Sequence, residues 1–485
     1  MPANRLRGVR HVLALRRIGM PFALGAGCAF SGMRCLCVQM YLFLSRNTIS
    51  FLNINMINDL ISFLNASPVN FLAVQTLAAR LEQAGYLRLD ASCPLGEMKA
   101  GDKFFVTKND SSLYAFRLGR KTLGEAGFRM ICAHCDSPTF RIKPNAEMTC
   151  EGGITKLNTE VYGGPIMSTW FDRPLSLAGR VILRGKDALH PVTRLLHVKR
   201  PLLQISNLAI HFNRQVNDGV KLSKQKDMLP IMGIVTDELE RGHMLEKVIC
   251  EELGVQANEI IDFDLYLYDC APACTFGMHD EFLSSGRLDD LSMVHAGMAA
   301  LLQQEGDSPE VTQVLAIFDN EETGSQTKQG AGSPFLANML RRLCAAQGGS
   351  QEDFFMAVER AFMISADNAH AWHPNYSEKY DPTNHPQLGG GPVIKFNAAQ
   401  KYASDAVSAS VFAEVCREAG VPCQRFVNHS DVAGGSTLGN ILASSLPVRG
   451  VDMGNPILGM HSVRETGAVA DHLYCIRAFS KFYSL

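Results

Sequence analysis

The sequence feature that most constrains the fold is an alternation of apolar runs with segments of helical periodicity. The run FRMICAH is almost wholly apolar, which is typical of a central strand in a sheet covered on both faces. VTQVLAIFD, AFMISAD and PVIKFN are further predicted strands, whereas LDDLSMVHAGMAALLQQ has the spacing of a helix. This alternation predicts an α/β fold in which helices are layered on a β-sheet.

A stretch with a different composition interrupts the alternation of predicted strands and helices. It contains Gly-Gly turns and short β-rich runs such as LAGRVILRG and LLQISNLAIHF, which indicate a smaller inserted β-rich domain. The length of 485 residues also exceeds that of one ordinary domain. We therefore predict an N-terminal extension over 1–55, the first part of the α/β domain over 56–150, the insertion over 151–270, and the second part of the α/β domain over 271–485.

The first 55 residues contain no Asp or Glu and place arginines before an apolar stretch. This pattern is typical of a secretory signal or an organelle transit peptide. Arg34 interrupts the apolar stretch, which disfavours a membrane span. We favour a folded protein that begins at Met56, with upstream codons included in error. Apolar residues at helical spacing from Leu60 and again from Phe71 predict two opening helices.

Charge and cysteine content limit the choice of partners and compartment. The 46 Lys and Arg residues nearly balance the 48 Asp and Glu residues, so neither nucleic acid nor a membrane surface is an expected partner. The pair Cys132 and Cys135 has no second CxxC that would complete a four-sulfur zinc site. Scattered, reduced cysteines indicate a reducing compartment, and we expect a cytoplasmic protein.

Side chains that can bind metal follow the predicted strands. FRMICAH ends at His134, and Asp136 lies two residues further on. Glu321 and Glu322 follow VLAIFDN, and Asp367 follows AFMISA. Because ligands bind at the carboxyl ends of strands in open α/β sheets, we expect these side chains to converge. Other candidates are Asp289 and Asp290 in GRLDDL and His461 in LGMHS.

These residue types favour a metal centre without thiolate ligands. Histidine and carboxylate ligands suit Zn²⁺ or Mn²⁺. Crowded acids such as Asp319, Glu321 and Glu322 repel one another, and two ions about 3.5–4 Å apart, bridged by a carboxylate, would offset that repulsion. Glu322 could then bind metal while Glu321 takes a proton from a metal-held water. The alternative for each residue is a structural histidine or a solvated acid at a helix start.

Six motifs occur in a defined order along the chain. They are AHCDSPTFRIKP, GRLDDL, DNEETGS, SADNAHAWHPNY, GPVIKFNAAQKYA and LGMHSVRE. In this order they resemble the aspartyl aminopeptidases, which belong to the M18 family of metallopeptidases. The resemblance runs from about Met56 to the C-terminus. It implies that the α/β domain is a mixed-sheet dizinc aminopeptidase domain and that the insertion is a dimerisation domain.

The resemblance implies two zinc ions per subunit, with Mn²⁺ or Co²⁺ as substitutes. His134 and Asp367 would hold one ion, Glu322 and His461 the other, and Asp289 would bridge both. One departure from the family pattern concerns the bridge. We expect Asn after the bridging Asp, whereas Asp290 follows Asp289 here, which leaves open which carboxylate bridges.

The resemblance also implies catalytic and substrate-binding roles. Glu321 would be the general base, and Asp136 would orient His134. The substrate would be a peptide with an N-terminal Asp or Glu, whose side-chain carboxylate binds Lys395. The alternative for Lys395 is a surface lysine beyond a strand. Two neighbours that would position substrate or stabilise the oxyanion are Tyr402 and His370.

An oligomer is the last feature that the resemblance implies. His211, in LAIHFNRQVN, would reach into the active site of a neighbouring subunit. The assembly would be a tetrahedral dodecamer whose catalytic chambers face inward. Two alternatives to the acidic-residue aminopeptidase are a related tetrahedral dizinc aminopeptidase of different residue specificity and a non-catalytic assembled scaffold.

Overall fold

The computed structural model describes residues 53–235, 241–306 and 308–485. The chain divides into two compact units, Met1–Asn55 and Met56–Leu485. The sequence predictions for residues 1–52 lie outside the described residues. Every strand described below, and every helix after the first, belongs to the second unit.

The structure describes helices from residue 53 to residue 483. In chain order the helices are α1 (53–66), α2 (Asn70–Gln83), α3 (Leu123–Ala126), α4 (Met244–Leu253), α5 (Leu288–Leu302), α6 (Phe335–Ala346), α7 (Gln351–Arg360), α8 (Ala406–Glu418), α9 (Leu438–Ser445) and α10 (Val469–Tyr483). The first two are the opening helices predicted from apolar spacing, so that prediction is confirmed.

Among the residues that the structure describes, the strands form two large sheets and two small ones. In chain order the strands are β1 (Leu87–Arg88), β2 (Lys103–Lys108), β3 (Ser112–Arg117), β4 (Phe128–His134), β5 (Thr139–Thr149), β6 (Ile154–Tyr162), β7 (Leu175–Leu183), β8 (Val192–His197), β9 (Ile231–Ile234), β10 (Ile260–Asp269), β11 (Cys274–Phe276), β12 (Phe282–Ser285), β13 (Thr312–Phe318), β14 (Phe362–Ala366), β15 (Ala369–His370), β16 (Val393–Phe396), β17 (Gln424–Val427), β18 (Arg449–Gly454), β19 (Pro456–Ile457) and β20 (Glu465–Ala468). The strands predicted from FRMICAH, VTQVLAIFD, AFMISAD and PVIKFN are all present.

The main sheet is mixed. Among the described residues it has the strand order β1-β2-β3-β13-β4-β14-β18-β16-β17. Its four central strands, β13, β4, β14 and β18, are parallel. The strands β3 and β16 pair antiparallel with the outer edges of this central group. The predicted α/β fold with a helix-layered mixed sheet is confirmed.

Alternation along the central strands explains why both faces of the sheet are covered. Ile131 and Ile364 pack with α1, α2, α5, α8 and α10 in one core. Their chain neighbours Met130 and Met363 pack with α6, α7 and α9 in a second core. Successive strand side chains point to opposite faces, so a nearly continuous apolar run is buried on both sides.

The second large sheet is antiparallel and has the order β8-β7-β10-β5-β6-β9. It packs over its own core, in which Phe140, Trp170 and Leu265 lie beside α4. The sheet includes β5, which precedes residue 151, where we place the start of the insertion. The domain boundaries themselves stay predictions.

The run LLQISNLAIHF does not form the strand that its β-rich composition suggests. Only isolated bridges occur, including those at Leu203 and Ile205. Beyond them the side chains of Leu208 and Phe212 are 60% and 81% exposed. A strand needs a neighbouring backbone to pair with, and no described strand lies beside residues 206–212. The local sequence cannot reveal whether a pairing strand lies beside a segment in the fold.

Among the helices that the structure describes, none has the length and apolarity needed to cross a membrane.

Candidate active site

Three neighbouring parallel strands end at one edge of the main sheet. His134 is the last residue of β4 and pairs with Phe318, the last residue of β13. On its other side β4 pairs with β14, which ends directly before Asp367. The turn after β13 carries Glu321, whose carboxylate lies near His134 and Asp367. The strand ends therefore converge because the central strands are parallel and in register.

Two residues from other parts of the chain complete the cluster. Asp289 lies at the start of α5 and His461 in the loop after β19. The Asp289 Oδ1 atom is 3.5 Å from His134 Nε2, and the Oδ2 atom is 3.6 Å from His461 Nε2. The two oxygens of one carboxylate thus face two different histidines.

Each histidine also faces a second carboxylate. His134 Nε2 is 3.9 Å from Asp367 Oδ2, and His461 Nε2 is 3.3 Å from Glu322 Oε2. With zinc–ligand bonds of about 2.0–2.1 Å, ligand atoms of a tetrahedral site lie roughly 3.3 Å apart. The observed spacings of 3.3–3.9 Å equal or somewhat exceed this value. They describe two adjacent groups of ligand atoms that share Asp289.

Unpartnered oxygens support the same conclusion. Asp289 Oδ1 and Glu322 Oε1 are buried and accept no hydrogen bond from any described residue. Buried polar atoms are rarely left without a partner in native proteins. Zinc ions between the histidines and carboxylates would satisfy both oxygens, so the residues present fit a dizinc centre.

Without added positive charge the acids of this cluster resist ionisation. Burial raises the pKa of Glu321 to about 8, and the negative charges of Asp367 and Asp136 add to the increase. Burial also raises the pKa of Glu322, with Asp289 contributing. The paired acids of DNEETGS therefore need a cation nearby to be charged at neutral pH.

Asp136 holds one side of the cluster in place. Its carboxylate accepts hydrogen bonds from the backbone N–H groups of Glu321 and Glu322, each at 3.1 Å, and from the Tyr162 hydroxyl at 2.7 Å. The Nδ1 atom of His134 lies 3.1 Å from the Asp136 carbonyl oxygen and 3.3 Å from Oδ1. These contacts orient the imidazole ring so that Nε2 points into the cluster.

Asp290 has a different role from Asp289. It is fully buried, and its carboxylate accepts hydrogen bonds from the backbone N–H groups of His134, at 3.2 Å, and Asn368, at 3.3 Å. The Asn368 side-chain amide donates a further bond at 3.2 Å. Asp290 therefore braces the backbone, and Asp289 is the carboxylate that lies between the two histidines.

Lys395 is buried rather than on the surface. Only 3% of the residue is exposed, and its Nζ atom donates to Asp367 Oδ1 at 2.8 Å and to the Asn368 carbonyl at 2.9 Å. It also lies 5.5 Å from the centre of the buried Tyr402 ring. Burial opposes the charge, but Asp367 holds the pKa of Lys395 above its ordinary value. The alternative of a surface lysine is wrong.

The two remaining histidine candidates differ in position. His370, in β15, lies within electrostatic reach of Lys395 and Asp289 and has its ring 5.8 Å from that of Phe426. His211 lies in an exposed turn after β8, and no contact among the described residues joins it to the cluster. The structure thus gathers every candidate except His211 at one edge of the main sheet.

Most of the chain matches one family of proteins. Residues 63–483 match the family described as aminopeptidase I zinc metalloprotease (M18). The chain belongs to the M18 family of aminopeptidases. It is accordingly a metallo-aminopeptidase, and the family match decides the class of reaction without deciding which residue is removed.

Individual M18 relatives cover nearly the same length. The chain is 52% identical to a probable M18 family aminopeptidase 2 of Clostridium acetobutylicum, over 88% of this chain and 98% of the relative. Its fold is similar to Ape4 in a cryo-EM structure of the Ape4 and Nbr1 complex, with a TM-score of 0.86, 35% identity and coverage of 89% and 86%. The dodecamer of S. cerevisiae mApe1 is similar with a TM-score of 0.77, 25% identity and coverage of 88% and 95%.

Sequence reasoning missed two residues that support this cluster. Glu465 is 2% exposed and accepts hydrogen bonds from the backbone N–H groups of Asp289, at 3.0 Å, and His461, at 2.8 Å. Its position four residues after His461 in LGMHSVRE was an available signal. Tyr162 belongs to the six-stranded sheet, and nothing in its local sequence indicates contact with Asp136.

Proposed function

We propose that this chain is a zinc-dependent aminopeptidase that removes N-terminal Asp or Glu residues from peptides. The observation that carries the proposal is the position of Asp289, whose oxygens lie 3.5 and 3.6 Å from the two histidines. In this proposal each subunit binds two Zn²⁺ ions, for which Mn²⁺ or Co²⁺ can substitute. The ligands are His134 and Asp367 for one ion, Glu322 and His461 for the other, and Asp289 for both.

Glu321 is the proposed general base. Zinc, when bound, polarises the scissile carbonyl and lowers the pKa of the attacking water. The Glu321 carboxylate accepts the proton of that water and passes it to the departing amine. The hydrogen bond from the Glu321 backbone to Asp136 keeps the base beside the same carboxylate that orients His134. Asp136 therefore contacts both the backbone of the proposed base and the ring of His134.

Lys395 is the proposed selector of acidic residues. An ammonium group has three N–H donors, and the contacts among the described residues use two of them, on Asp367 and Asn368. In this proposal the third donor binds the side-chain carboxylate of a substrate, where a charge-assisted hydrogen bond is strong. Tyr402 and His370 flank Lys395 and would position the substrate or stabilise the oxyanion.

A homo-oligomer is part of the proposal. Leu208 and Phe212, on either side of His211, are large apolar residues that are mostly exposed in the single chain. Exposed apolar patches indicate surfaces that another molecule covers. The similar mApe1 is a dodecamer, and we extend to this chain a tetrahedral dodecamer in which His211 reaches a neighbouring active site. The cytoplasmic location stays a prediction.

Hydrolysis of Asp, Glu, Ala, Leu and Lys aminoacyl substrates tests the proposal. We expect cleavage confined to Asp and Glu, lost with a chelator and restored by added zinc. The variant Glu321→Gln keeps the shape of the base but cannot accept the proton. Its kcat should fall by about 10²- to 10⁴-fold while its zinc content equals that of the wild type.

The alternatives give different results in the same assay. Broad, zinc-dependent cleavage would support an aminopeptidase of different specificity and would remove Lys395 as selector. An assembled, zinc-loaded protein that cleaves none of the five substrates would support the scaffold alternative.

A further inference from the structure

A short segment of the six-stranded sheet reaches the cluster on the main sheet. It consists of residues 162–164, Tyr-Gly-Gly, at the end of β6. The Tyr162 hydroxyl donates to Asp136 Oδ2 at 2.7 Å and accepts a hydrogen bond from Asn320 Nδ2 at 2.8 Å. The Asn320 side chain is itself held, because its Oδ1 atom accepts from Thr327 Oγ1 at 2.8 Å and Gln329 Nε2 at 2.7 Å.

Through Asp136 this contact acts on the first histidine. Asp136 lies behind the His134 ring, with the His134 Nδ1 atom 3.3 Å from Asp136 Oδ1. Among the described residues, the side chains that donate to the Asp136 carboxylate are those of Tyr162 and His134. The remaining donors are the backbone N–H groups of Glu321 and Glu322. Removing the Tyr162 hydroxyl would leave Asp136 Oδ2 with the backbone N–H of Glu322 as its one remaining donor in the described part of the chain, which would weaken the hold on the carboxylate behind His134.

The next two residues act on the other half of the cluster. The Gly164 carbonyl lies 3.1 Å from His461 Nδ1, and the Ile166 N–H donates to the His461 carbonyl at 2.9 Å. A bond from Nδ1–H to a carbonyl leaves Nε2 unprotonated and able to bind metal. Gly163 has φ +68°, and a Cβ atom there would lie 3.1 Å from Glu322 Cβ.

We infer that residues 162–164 form a positioning segment, in which the six-stranded sheet sets the orientation of both histidines that face Asp289. Tyr162 acts through Asp136 on His134, and Gly164 acts on His461 directly. The inference rests on the proposed zinc centre. It adds that the six-stranded sheet, which carries none of the proposed zinc ligands, holds two of those ligands in place. Zinc affinity should therefore depend on the positioning segment.

The first test compares Tyr162→Phe with Tyr266→Phe. Both variants lose one hydroxyl from the same sheet, and the two rings pack 5.7 Å apart, but only Tyr162 contacts Asp136. Zinc affinity is measured by competition with a chelator, and the geometry of the site by the absorption spectrum of the Co²⁺-loaded protein. We expect zinc to bind about 10- to 100-fold more weakly to Tyr162→Phe, with a changed spectrum, because partners of ligating groups contribute on this scale. Tyr266→Phe should match the wild type.

The second test compares two glycines that have a positive φ, and it does not depend on Tyr162. In Gly163→Ala the new Cβ would press on Glu322 and the backbone would be strained at a positive φ, so zinc affinity should fall. In the control Gly152→Ala the φ of +78° brings a similar strain, but no atom lies within 4 Å of the new Cβ, so affinity should stay near that of the wild type. Thermal unfolding of the zinc-free variants shows whether each one still folds.

The results separate this inference from the proposed function. Zinc affinities of Tyr162→Phe and Gly163→Ala equal to those of their controls would overturn the positioning segment even if the enzyme cleaves Asp substrates. A wild type that binds zinc but cleaves no substrate would contradict the proposed activity. In that case weaker zinc binding by Tyr162→Phe alone would still support the positioning segment.

Discussion

Single residues carry the charge balance of the site. Three carboxylates, Asp289, Glu322 and Asp367, lie within 3.3–3.9 Å of the ring nitrogens of His134 and His461. The buried Lys395 adds one positive charge, and its ammonium group donates a hydrogen bond to one of these carboxylates, Asp367. The cluster therefore retains a negative excess that suits divalent cations.

Replacing Lys395 tests the selection of substrate at this scale. Lys395→Met keeps the apolar length of the side chain and removes its charge. A hydrogen bond to a charged group contributes about 1.5–3 kcal/mol, so kcat/KM for Asp and Glu substrates should fall by about 10- to 100-fold. The Ala substrate should be affected far less. Steady-state kinetics on the three substrates measure the difference.

Zinc content is the control for this variant, because Lys395 also contacts Asp367. The comparison is made with both proteins fully loaded. An equal loss on Asp, Glu and Ala substrates would show that Lys395 supports the site without selecting the substrate.

The candidate site was predictable to the extent that it depends on strand ends. His134, Glu321 and Asp367 follow apolar runs, and parallel strands bring such residues to one edge. The bond between Lys395 and Asp367 was not predictable, because it joins β16 to the end of β14 and these strands are not neighbours in the sheet. The contact of Tyr162 with Asp136 depends on the register of β6 against β5, which no local pattern reveals.

Helices α1, α5 and α10 meet at a buried pair of histidines. His295 of α5 lies between His472 of α10, at 3.0 Å, and Asp59 of α1, at 2.9 Å. Arg80 of α2 pairs with Asp59 at 2.9 Å. This chain of polar contacts joins elements that otherwise pack through apolar side chains.

Stability should fall in acid because of this pair. Burial lowers the pKa of His295 and of His472. The unfolded chain takes up protons on these residues near their ordinary pKa of about 6.5, whereas the folded chain does not, so stability is lost as the pH falls below that value. The hydrogen bond to His295 lowers the pKa of Asp59, so its charge stays constant in this range. Urea unfolding of the zinc-free protein at pH 5, 6 and 7 measures the loss.

The variant His472→Gln isolates the effect. Its amide can still donate to His295 but takes up no proton, so the stability of the variant should depend less steeply on pH than that of the wild type. His279→Gln removes an exposed histidine and is the matched control, for which the wild-type slope is expected. Equal slopes for all three proteins would mean that the histidine pair contributes nothing to acid sensitivity.

At the level of elements, the sequence predicted strands correctly where both faces of the strand are buried and incorrectly where the segment is exposed. The runs that became β4, β13 and β14 are buried on both faces, so their composition alone indicated strands. LLQISNLAIHF is also rich in apolar residues, but large apolar side chains beyond Ile205, such as Leu208 and Phe212, lie exposed without a pairing strand. Pairing partners are a tertiary property, which the local sequence does not contain.

The whole molecule places its reactive cluster where the two large sheets meet. The main sheet supplies the strand ends with His134 and Asp367, and the six-stranded sheet supplies residues 162–164. His211 belongs to the same part of the chain as the second sheet but has no contact with the cluster of its own subunit among the described residues. Its proposed role therefore requires a second copy of the chain.

Mixing two inactive variants tests that requirement. His211→Ala subunits keep the proposed base Glu321, and Glu321→Gln subunits keep His211. A complete site therefore forms only where the site of a His211→Ala subunit receives His211 from a neighbouring Glu321→Gln subunit. If each homo-oligomer is inactive, random co-assembly should restore about a quarter of the wild-type activity, because half of the sites have the base and half of their neighbours the histidine. Activity of co-expressed and separately purified variants on an Asp substrate measures the gain.

Assembly must be verified for both variants by their mass in solution, since a monomer would be inactive for another reason. As a control, separately assembled oligomers mixed without subunit exchange should stay inactive. Full activity of His211→Ala by itself would show that each subunit completes its own site, and the exposed side chains around His211 would then serve assembly alone. Restored activity only after co-assembly would place His211 in the neighbour's site, because neither variant subunit can supply both groups.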